Sequence, residues 1–352
     1  MKRADKRRIL ITGCLVGAAL LGFGAGGVGT AQAQTTLTLS SYSPTTAWSA
    51  TIGLATWIKN VESASGGRVK VRLLETPLGK PESHYDLARN GVADVTFGVL
   101  GYTPGRFEIG AVGGMPGGGS TGKSISVALW RLYQAVPEFQ KEFNDVKVLS
   151  LTATSPQQIF SSKGAINTIE DFKGLKIRVP GGLVSAACEA LGVTGVNQPS
   201  GKAYELLSTG ILDGIAFPQE TIVQFKLVNL LKNSTFLPGG VGSAPIFLIM
   251  NKGKWDGLSK QDQNAIMSVS GDKFAAFYGS IWDERDAKAV DQMRQGGITI
   301  QQANPALAAA AAMRFAKVEQ EWIAKVKSAR GADGAKILQL FRSEAKKVEA
   351  GS

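Results

Sequence analysis

The sequence predicts an α/β protein of two lobes, each a mostly parallel sheet flanked by helices, with a ligand cleft between the lobes. Strand and helix patterns alternate from about residue 37 onwards. The chain has 352 residues, of which 44% are hydrophobic, so it is long enough for two packed cores. Such alternation is typical of βαβ units, in which a helix crosses one face of the sheet between two parallel strands.

The first segments follow a β-α-β-α-β order. Residues 37–39 alternate between apolar and polar side chains and predict a short strand. Residues 47–64 have helical periodicity, and residues 68–73 alternate cleanly as the next strand. A helix over about 82–90 and an apolar strand over 95–99 complete the order. This order implies parallel pairing, with helices on both faces of the sheet.

The remaining segments extend the pattern into a second sheet. They are, in chain order, a Gly- and Pro-rich loop (101–124), a helix (125–143), a strand (146–151), the first strand of the second sheet (158–161), a strand ending before Pro180 (175–179), mixed helices and strand to about 230, an apolar strand (246–250) and a mainly helical remainder from about 259. We assign residues 34–155 plus about 244–283 to the first lobe, and residues 156–243 plus about 284–352 to the second. A cleft between two such lobes is a preferred ligand site.

Residues 1–33 predict a cleavable signal peptide. A basic stretch, MKRADKRR, precedes an apolar, Gly-rich run over 9–28, and Ala31-Gln32-Ala33 has the small-x-small form of a cleavage site. A membrane anchor is the alternative, but the many Gly residues and the cleavage triplet favour removal. The sequence therefore predicts export.

Charge and residue counts argue against several classes of function. Residues 1–33 carry five of the 39 basic residues and one of the 28 acidic residues, so the rest of the chain keeps a net charge of +7. That charge is spread out, which predicts mild attraction to anions and no binding to nucleic acid. Beyond residue 33 only Cys188, with the pattern of a core residue, and His84, expected to be solvated or capping, remain. We therefore expect no disulfide, metal or cofactor, and no His- or Cys-based catalytic centre.

Residues 117–124, GGGSTGKS, match two catalytic motifs literally. In a phosphate-binding P-loop, backbone N–H groups would cradle phosphates while Lys123 and Ser124 reach phosphate and magnesium. The preceding residues are broken by Gly and Pro and are a poor match to the strand that this motif follows. Residues 118–122 also read G-x-S-x-G, but hydrolases with that motif need a later His, whereas His84 comes earlier. We interpret the stretch as a loop before a helix, and an exported P-loop or hydrolytic enzyme remains an alternative function.

Three stretches in the second half of the chain are the most specific signal. Residues 167–182 read NTIEDFKGLKIRVPGG, residues 191–193 read LGV, and residues 203–214 read AYELLSTGILDG. Together with SASGGRVKV at 63–71, they resemble the DctP-type solute-binding proteins of TRAP (tripartite ATP-independent periplasmic) transporters. The resemblance covers most of the chain beyond residue 33, in the family's order.

The resemblance implies the periplasmic-binding-protein fold and a transport role rather than an enzyme activity. It implies a protein of the periplasm that closes on a small organic acid, a carboxylate, and delivers it to the membrane permease subunits of a TRAP transporter. We expect the protein to be a monomer. An ABC-type binding protein shares the architecture class and is the nearest alternative.

Arg178 is the first candidate for binding the ligand. It lies near the carboxyl end of the predicted strand 175–179, just before a Gly-rich turn. A guanidinium can bind a carboxylate through two parallel hydrogen bonds and stays charged at any relevant pH. The residues alone leave open whether Arg178 binds a ligand or pairs with a nearby acid such as Asp171. The resemblance implies ligand binding, because the arginine of the family's K-φ-R-φ-P motif holds the carboxylate.

Four further positions predict a cleft less polar than in family members that bind polar acids. Gln158 stands where some members carry a second arginine, and Phe217 stands where some carry an asparagine. Val99 lies at the end of a strand that offers a carboxylate to the ligand in some members, and Tyr42 can add an aromatic wall and a hydroxyl. We therefore expect a monocarboxylate with an apolar or aromatic body, such as an aromatic or oxo acid. A C4-dicarboxylate is the alternative.

Overall fold

Two β-sheets with helices on their faces make up residues 34–351, which are the residues that the computed structural model describes. The predicted signal peptide, residues 1–33, lies outside them. The strands are β1 (Thr35–Ser41), β2 (Val69–Leu73), β3 (Val95–Val99), β4 (Val146–Ala153), β5 (Gln158–Ser161), β6 (Lys176–Val179), β7 (Thr194–Asn197), β8 (Gly214–Phe217), β9 (Asn233–Phe236), β10 (Pro245–Asn251) and β11 (Thr299–Gln302).

The helices follow the strands in the predicted alternation. They are α1 (Ala55–Ala64), α2 (His84–Arg89), α3 (Gly122–Ala135), α4 (Pro137–Lys141), α5 (Gly182–Leu191), α6 (Ala203–Ser208), α7 (Gln219–Gln224), α8 (Lys252–Asp256), α9 (Lys260–Ser268), α10 (Gly271–Gln295), α11 (Pro305–Arg330) and α12 (Gly334–Glu349). A π-helical turn, Ser49–Leu54, runs directly into α1. Within residues 34–351, no helix combines the length and the apolar character needed to cross a bilayer.

Each sheet is parallel except for one strand. The first sheet has the order β2-β1-β3-β10-β4, in which only β10 runs antiparallel to its neighbours. The second has the order β11-β9-β5-β8-β6-β7, in which only β5 is antiparallel. The predicted fold class, two α/β lobes with mostly parallel sheets, is confirmed.

The chain passes between the two sheets through two paired segments, which we call the crossing segments: residues 154–157, between β4 and β5, and residues 241–244, before β10. Their backbones are hydrogen-bonded to each other. Thr154 N donates to Ala244 O at 3.1 Å, and Gln157 N donates to Gly242 O at 2.7 Å. This pairing gives each crossing segment a defined direction, so that its side chains are held in place between the lobes.

The predicted helix over 125–143 is two helices in the structure. Its first part, α3, begins three residues earlier at Gly122 and ends at Ala135, and α4 begins at Pro137. Val136 between them has extended backbone angles. The break follows from Pro137, whose ring disfavours a helical conformation of the preceding residue and which is well suited to the first position of a new helix.

Apolar side chains are buried on both faces of each sheet. Along β10 they alternate between two cores, with Phe247 and Ile249 on one face and Ile246, Leu248 and Met250 on the other. Successive side chains of a strand point to opposite faces, so a strand covered on both faces reads as a continuous apolar run. This explains why residues 246–250 contain no polar residue.

Helix α10 connects the lobes. It is 25 residues long and packs on α3 and β4 of the first lobe and on α7 of the second. Asp286, in its middle, accepts a hydrogen bond from Glu220 N, at the start of α7, at 2.7 Å. The same carboxylate accepts a hydrogen bond from the Ser155 hydroxyl in a crossing segment. Burial raises the pKa of Asp286 to about 7, although both hydrogen bonds act to lower it.

The packing of α12 differs from the predicted lobe boundary. The sequence assigns residues from about 284 to 352 to the second lobe, yet α12 packs on α3 of the first. Its apolar stripe, Leu338, Phe341 and Ala345, is buried in the same core as α3 and β4. An apolar stripe of this kind can pack on any apolar surface that it fits. The position of a helix in the sequence therefore does not determine on which lobe it packs. The other lobe boundaries stay a prediction.

Candidate functional site

A cleft lies between the lobes at the carboxyl ends of the parallel strands, where sheets of this kind bind ligands. Tyr42 directly follows β1, Val99 ends β3, Arg178 lies in β6 and Phe217 ends β8. All four line the cleft, together with residues of the crossing segments and of α10. The lining includes six aromatic residues: Tyr42, Trp48, Tyr102, Phe217, Phe225 and Trp282. The free volume of the cleft is small, about 50 Å³, and the lobes are in contact at Arg178.

Arg178 is one of the largest fully buried side chains of the protein, with 1% of its surface exposed. Its Nε donates to Gln198 O at 2.7 Å, and its Nη1 donates to Ala216 O at 3.4 Å. The guanidinium carbon stands 4.4 Å from the centre of the Phe217 ring, in a cation–π arrangement. These contacts hold the plane of the guanidinium in one orientation within the cleft.

No carboxylate of residues 34–351 pairs with Arg178. Burial lowers the pKa of Arg178 from its usual range. Only the hydroxyls of Tyr102 and Tyr42 act to raise this pKa, and no carboxylate does so. Asp171, the alternative partner, instead accepts hydrogen bonds from the backbone N–H groups of Asn167 and Thr168 at 2.8 Å. A buried guanidinium without a carboxylate partner is a strong site for an anion, because a bound anion supplies the opposite charge that the protein does not.

Tyr102 joins the two lobes at the cleft. Its place soon after β3 is the one feature of the sequence that points to this residue. Its hydroxyl accepts hydrogen bonds from Arg178 Nη2 at 3.4 Å and from Ser200 N at 3.1 Å. Tyr102 belongs to the first lobe, whereas Arg178 and Ser200 belong to the second. An aromatic hydroxyl of the first lobe therefore contacts the guanidinium of the second.

Tyr42 and Val99 form part of the wall opposite Arg178. The Tyr42 ring stacks on Phe97 with the ring centres 5.9 Å apart, and meets Tyr102 edge-on at the same distance. Burial, followed by the neighbouring Tyr102, raises the pKa of Tyr42, so its hydroxyl stays protonated. The Val99 side chain is 5% exposed and apolar. This wall is therefore aromatic and aliphatic.

Gln158 does not reach the cleft. Its Nε2 donates to Leu237 O at 3.0 Å and its Oε1 accepts from Leu237 N at 2.9 Å, so the backbone of Leu237 occupies both ends of the amide. The preceding residue, Gln157, lines the cleft instead. Because neighbouring residues point in opposite directions, a one-residue difference decides which glutamine lines the cleft.

A second cavity, about 340 Å³ in volume, adjoins the cleft along Val99, Pro180 and Ala244. This cavity is larger than the cleft around Arg178. The cation in its lining, Lys325, is already paired, since its Nζ lies 3.0 Å from Glu108 Oε2. An organic anion would find no free positive charge there. The chemistry therefore favours the smaller cleft around Arg178 as the ligand site.

The GGGSTGKS stretch forms the loop before α3 and the first turn of that helix. Its backbone N–H groups donate to carboxylates of the protein itself. Asp283 accepts from Gly122 N at 2.5 Å and from Lys123 N at 3.0 Å, and Glu349 accepts from Ser120 N at 2.7 Å. The positions that a P-loop offers to phosphates are thus taken by two side chains, which cap α3 and attach α10 and α12 to it.

We expect Lys123→Ala to leave ligand affinity unchanged to within about twofold, because the side chain takes no part in the cleft. Asp283→Ala removes the cap of two N–H groups and should lower the free energy of unfolding by about 1–2 kcal/mol. Both results are measured by titration and thermal unfolding of the purified variants. A rise in melting temperature with ATP and magnesium that Lys123→Ala removes would restore the P-loop interpretation.

His84 and Cys188, the single histidine and the single cysteine beyond residue 33, are both buried. His84, expected to be solvated or capping, is fully buried at the first position of α2, and burial lowers its pKa. Its two ring nitrogens are 3.3 Å from Ser40 Oγ and 3.1 Å from Lys80 O. Cys188 is buried among apolar residues of α5 and β6. Within residues 34–351, no three His, Cys, Asp or Glu side chains are grouped as metal ligands would be.

Known structures resemble this chain over nearly its whole described length. A TRAP periplasmic solute-binding protein from Bordetella bronchiseptica, with bound (R)- and (S)-mandelate, is 37% identical with a TM-score of 0.85, covering 89% of this chain and 99% of that one. A TRAP solute-binding protein from Rhodoferax ferrireducens, in complex with copurified benzoate, is 26% identical with a TM-score of 0.84, covering 91% and 100%.

Sequence comparison agrees. The outer membrane transporter protein TsaT of Comamonas testosteroni is 29% identical over 290 residues, which are 82% of this chain and 85% of that protein. The C4-dicarboxylate-binding periplasmic protein DctP of Rhodobacter capsulatus is 28% identical over 144 residues, 40% of this chain and 42% of that protein. Residues 41–325 match the DctP family of bacterial extracellular solute-binding proteins, family 7. The chain belongs to this family and is a TRAP-type solute-binding protein.

Proposed function

We propose that this protein binds an aromatic or apolar monocarboxylate in the cleft around Arg178. The unpaired, buried guanidinium is the observation that carries the proposal. Arg178 binds the ligand carboxylate, and Phe217, Tyr42 and Val99 surround the ligand body. Gln158, whose amide is occupied by Leu237, has no part in this assignment, and Gln157 takes its place at the cleft.

A single carboxylate fits the charges better than two. Among the residues that line the cleft, Arg178 is the only Lys or Arg. Arg285, which stands 5.7 Å from the Trp48 ring, is already paired with Glu220 at 3.2 Å. A C4-dicarboxylate would place its second charge among aromatic rings without a cation, at a desolvation cost that a neutral ring does not incur. The C4-dicarboxylate alternative is therefore less favoured.

Relatives provide independent support for an aromatic ligand. Besides the proteins with mandelate and benzoate, a marine metagenome TRAP solute-binding protein described as specific for aromatic acid ligands is 29% identical with a TM-score of 0.84, covering 89% of this chain and 99% of that one. All three are two-lobed proteins of the same fold. The family match also favours a TRAP transporter over an ABC transporter.

The binding step leads to transport. We infer that the protein works in the periplasm as a monomer and delivers its ligand to the membrane permease subunits of a TRAP transporter, without catalysing a reaction. Ligand bound between the lobes favours the closed form by its differential affinity for that form. The permease then meets one surface composed of both lobes.

A titration of residues 34–352 against benzoate, mandelate, phenylacetate, succinate and malate tests the proposal. A ligand at 100 times its dissociation constant stabilises the native state by about 2.7 kcal/mol, so thermal unfolding separates binders from non-binders. We expect the aromatic acids to raise the melting temperature and the two dicarboxylates to leave it unchanged. A larger shift with succinate than with every aromatic acid would contradict the proposed ligand class.

A further inference from the structure

Gln157 lines the cleft and carries an amide oxygen that residues 34–351 leave without a partner. The residue is 1% exposed. Its Oε1 is fully buried, and no donor among residues 34–351 reaches it. Side-chain amides buried this deeply are nearly always hydrogen-bonded, because the alternative costs the whole desolvation of the group.

The backbone of Gln157 shows that this orientation is imposed by the fold. Its N–H donates to Gly242 O at 2.7 Å, and its carbonyl accepts from Val241 N at 2.9 Å. Both bonds belong to the pairing of the crossing segments. Gln157 lines the cleft, whereas the side chain of Gln158 is directed at Leu237, where both of its amide ends are satisfied. Of these two adjacent glutamines, only the one that lines the cleft has an amide oxygen without a partner among residues 34–351.

We propose that Gln157 is a specificity-determining residue that binds a hydroxyl group of the ligand, so that the preferred ligand is a hydroxylated aromatic monocarboxylate. This inference rests on the proposed function, since it assumes that Arg178 binds the carboxylate in the same cleft. A hydroxyl donates to Oε1 and accepts from Nε2, so it satisfies the amide whichever end it meets. An oxo group can only accept, and it leaves Oε1 unpaired.

Gln157 and Arg178 lie in different parts of the protein, so each can bind a different group of the ligand. Arg178 belongs to β6 of the second lobe, while Gln157 belongs to a crossing segment. A ligand that contacts both is held by its charge at one point and by its hydroxyl at another. Sites built to bind a hydroxyl reject analogues that lack it, because their own polar group is then left buried and unpaired. Gln157 therefore adds discrimination, and Arg178 supplies the affinity that all carboxylates share.

The test compares acids that differ by one hydroxyl: phenylacetate with mandelate, phenylacetate with 3-hydroxyphenylacetate, and benzoate with 3-hydroxybenzoate. Calorimetric titration of the wild type and of Gln157→Met gives six affinity ratios. In the wild type we expect the hydroxylated acid of at least one pair to bind about 10-fold more tightly, which is about 1.4 kcal/mol. In Gln157→Met, which keeps the length of the side chain, we expect that ratio to fall to about twofold or less while the acid without the hydroxyl binds at least as tightly as it binds the wild type.

Each outcome has a distinct meaning. Retained affinity of Gln157→Met for phenylacetate or benzoate shows that the variant is folded with Arg178 in place. Gln158→Met is the matched control and should keep the wild-type ratios, even if it melts earlier. No ratio of about 10-fold in the wild type, or a ratio that survives in Gln157→Met, overturns the role of Gln157. Failure of all these acids to bind the wild type overturns the proposed function itself.

Discussion

Arg178→Met should abolish carboxylate binding while leaving the unliganded protein about as stable as the wild type, or more stable. The guanidinium is buried and unpaired among residues 34–351, so the native state carries its desolvation cost without a compensating charge. Methionine fills a similar space without that cost. Losing one partner of a buried charge pair weakens binding by about 2–5 kcal/mol, which means at least about a 30-fold rise in the dissociation constant.

Arg330→Met is the matched control, because this arginine does have a carboxylate partner. Arg330 Nε lies 3.0 Å from Glu142 Oε1, and the Glu142 side chain is 1% exposed. Removing the arginine leaves that carboxylate with two backbone donors, the N–H groups of Ile109 and Gly110. We expect a loss of about 1.5–3 kcal/mol in the free energy of unfolding, with ligand affinity unchanged.

Calorimetry and thermal unfolding of the two variants separate the roles of the two arginines. The expected pattern is crossed: Arg178→Met loses binding and keeps its melting temperature, whereas Arg330→Met keeps binding and melts earlier. If Arg178→Met melts several degrees below the wild type in the absence of ligand, Arg178 has a structural role. If it still binds an aromatic acid with wild-type affinity, the cleft around Arg178 is not the binding site.

Gly101→Ala should prevent full closure of the lobes and so weaken ligand binding by about 10- to 100-fold. Gly101 follows β3 in the first lobe and meets the turn after β6 in the second. A Cβ atom at this position would lie 2.9 Å from Pro180 O and 3.3 Å from Gly181 C. Both are backbone atoms, which cannot rotate away, so the added methyl group separates the lobes. We expect the open form to lack this contact.

Small-angle scattering with and without ligand measures the closure directly. The wild type should become more compact when ligand is added, and Gly101→Ala should change less and release ligand faster. Gly164→Ala is the control, because a Cβ there would have no atom within 4 Å. Wild-type affinity together with normal compaction in Gly101→Ala would show that the two turns separate without cost.

Local patterns sufficed for the fold class because each strand and helix is encoded by its own neighbours. The apolar run at 246–250 and the alternation at 68–73 correspond to β10 and β2, within a residue or two at each end. Arg178 was a candidate for a similar reason, since its residue type and its place near a strand end both appear in the sequence. The family resemblance, rather than these two features, favoured a ligand over an ion pair with Asp171. Pro137, which separates α3 from α4, is present in the sequence, but the helical pattern on both sides of it predicted one continuous helix.

What the residues themselves determined about this protein is thus its fold class, its family and the cation that we propose as the ligand partner. Only the tertiary structure decided which glutamine enters the cleft, that Tyr102 reaches Arg178, that α12 packs on the first lobe, and that GGGSTGKS is a helix cap. Each of these features depends on a partner far away in the chain. Asp283, for example, accepts a hydrogen bond from the N–H group of Gly122, which is 161 residues away. The sequence shows the hydrogen-bonding capacity of a side chain, whereas the packing of distant elements decides which group satisfies it or leaves it for a ligand.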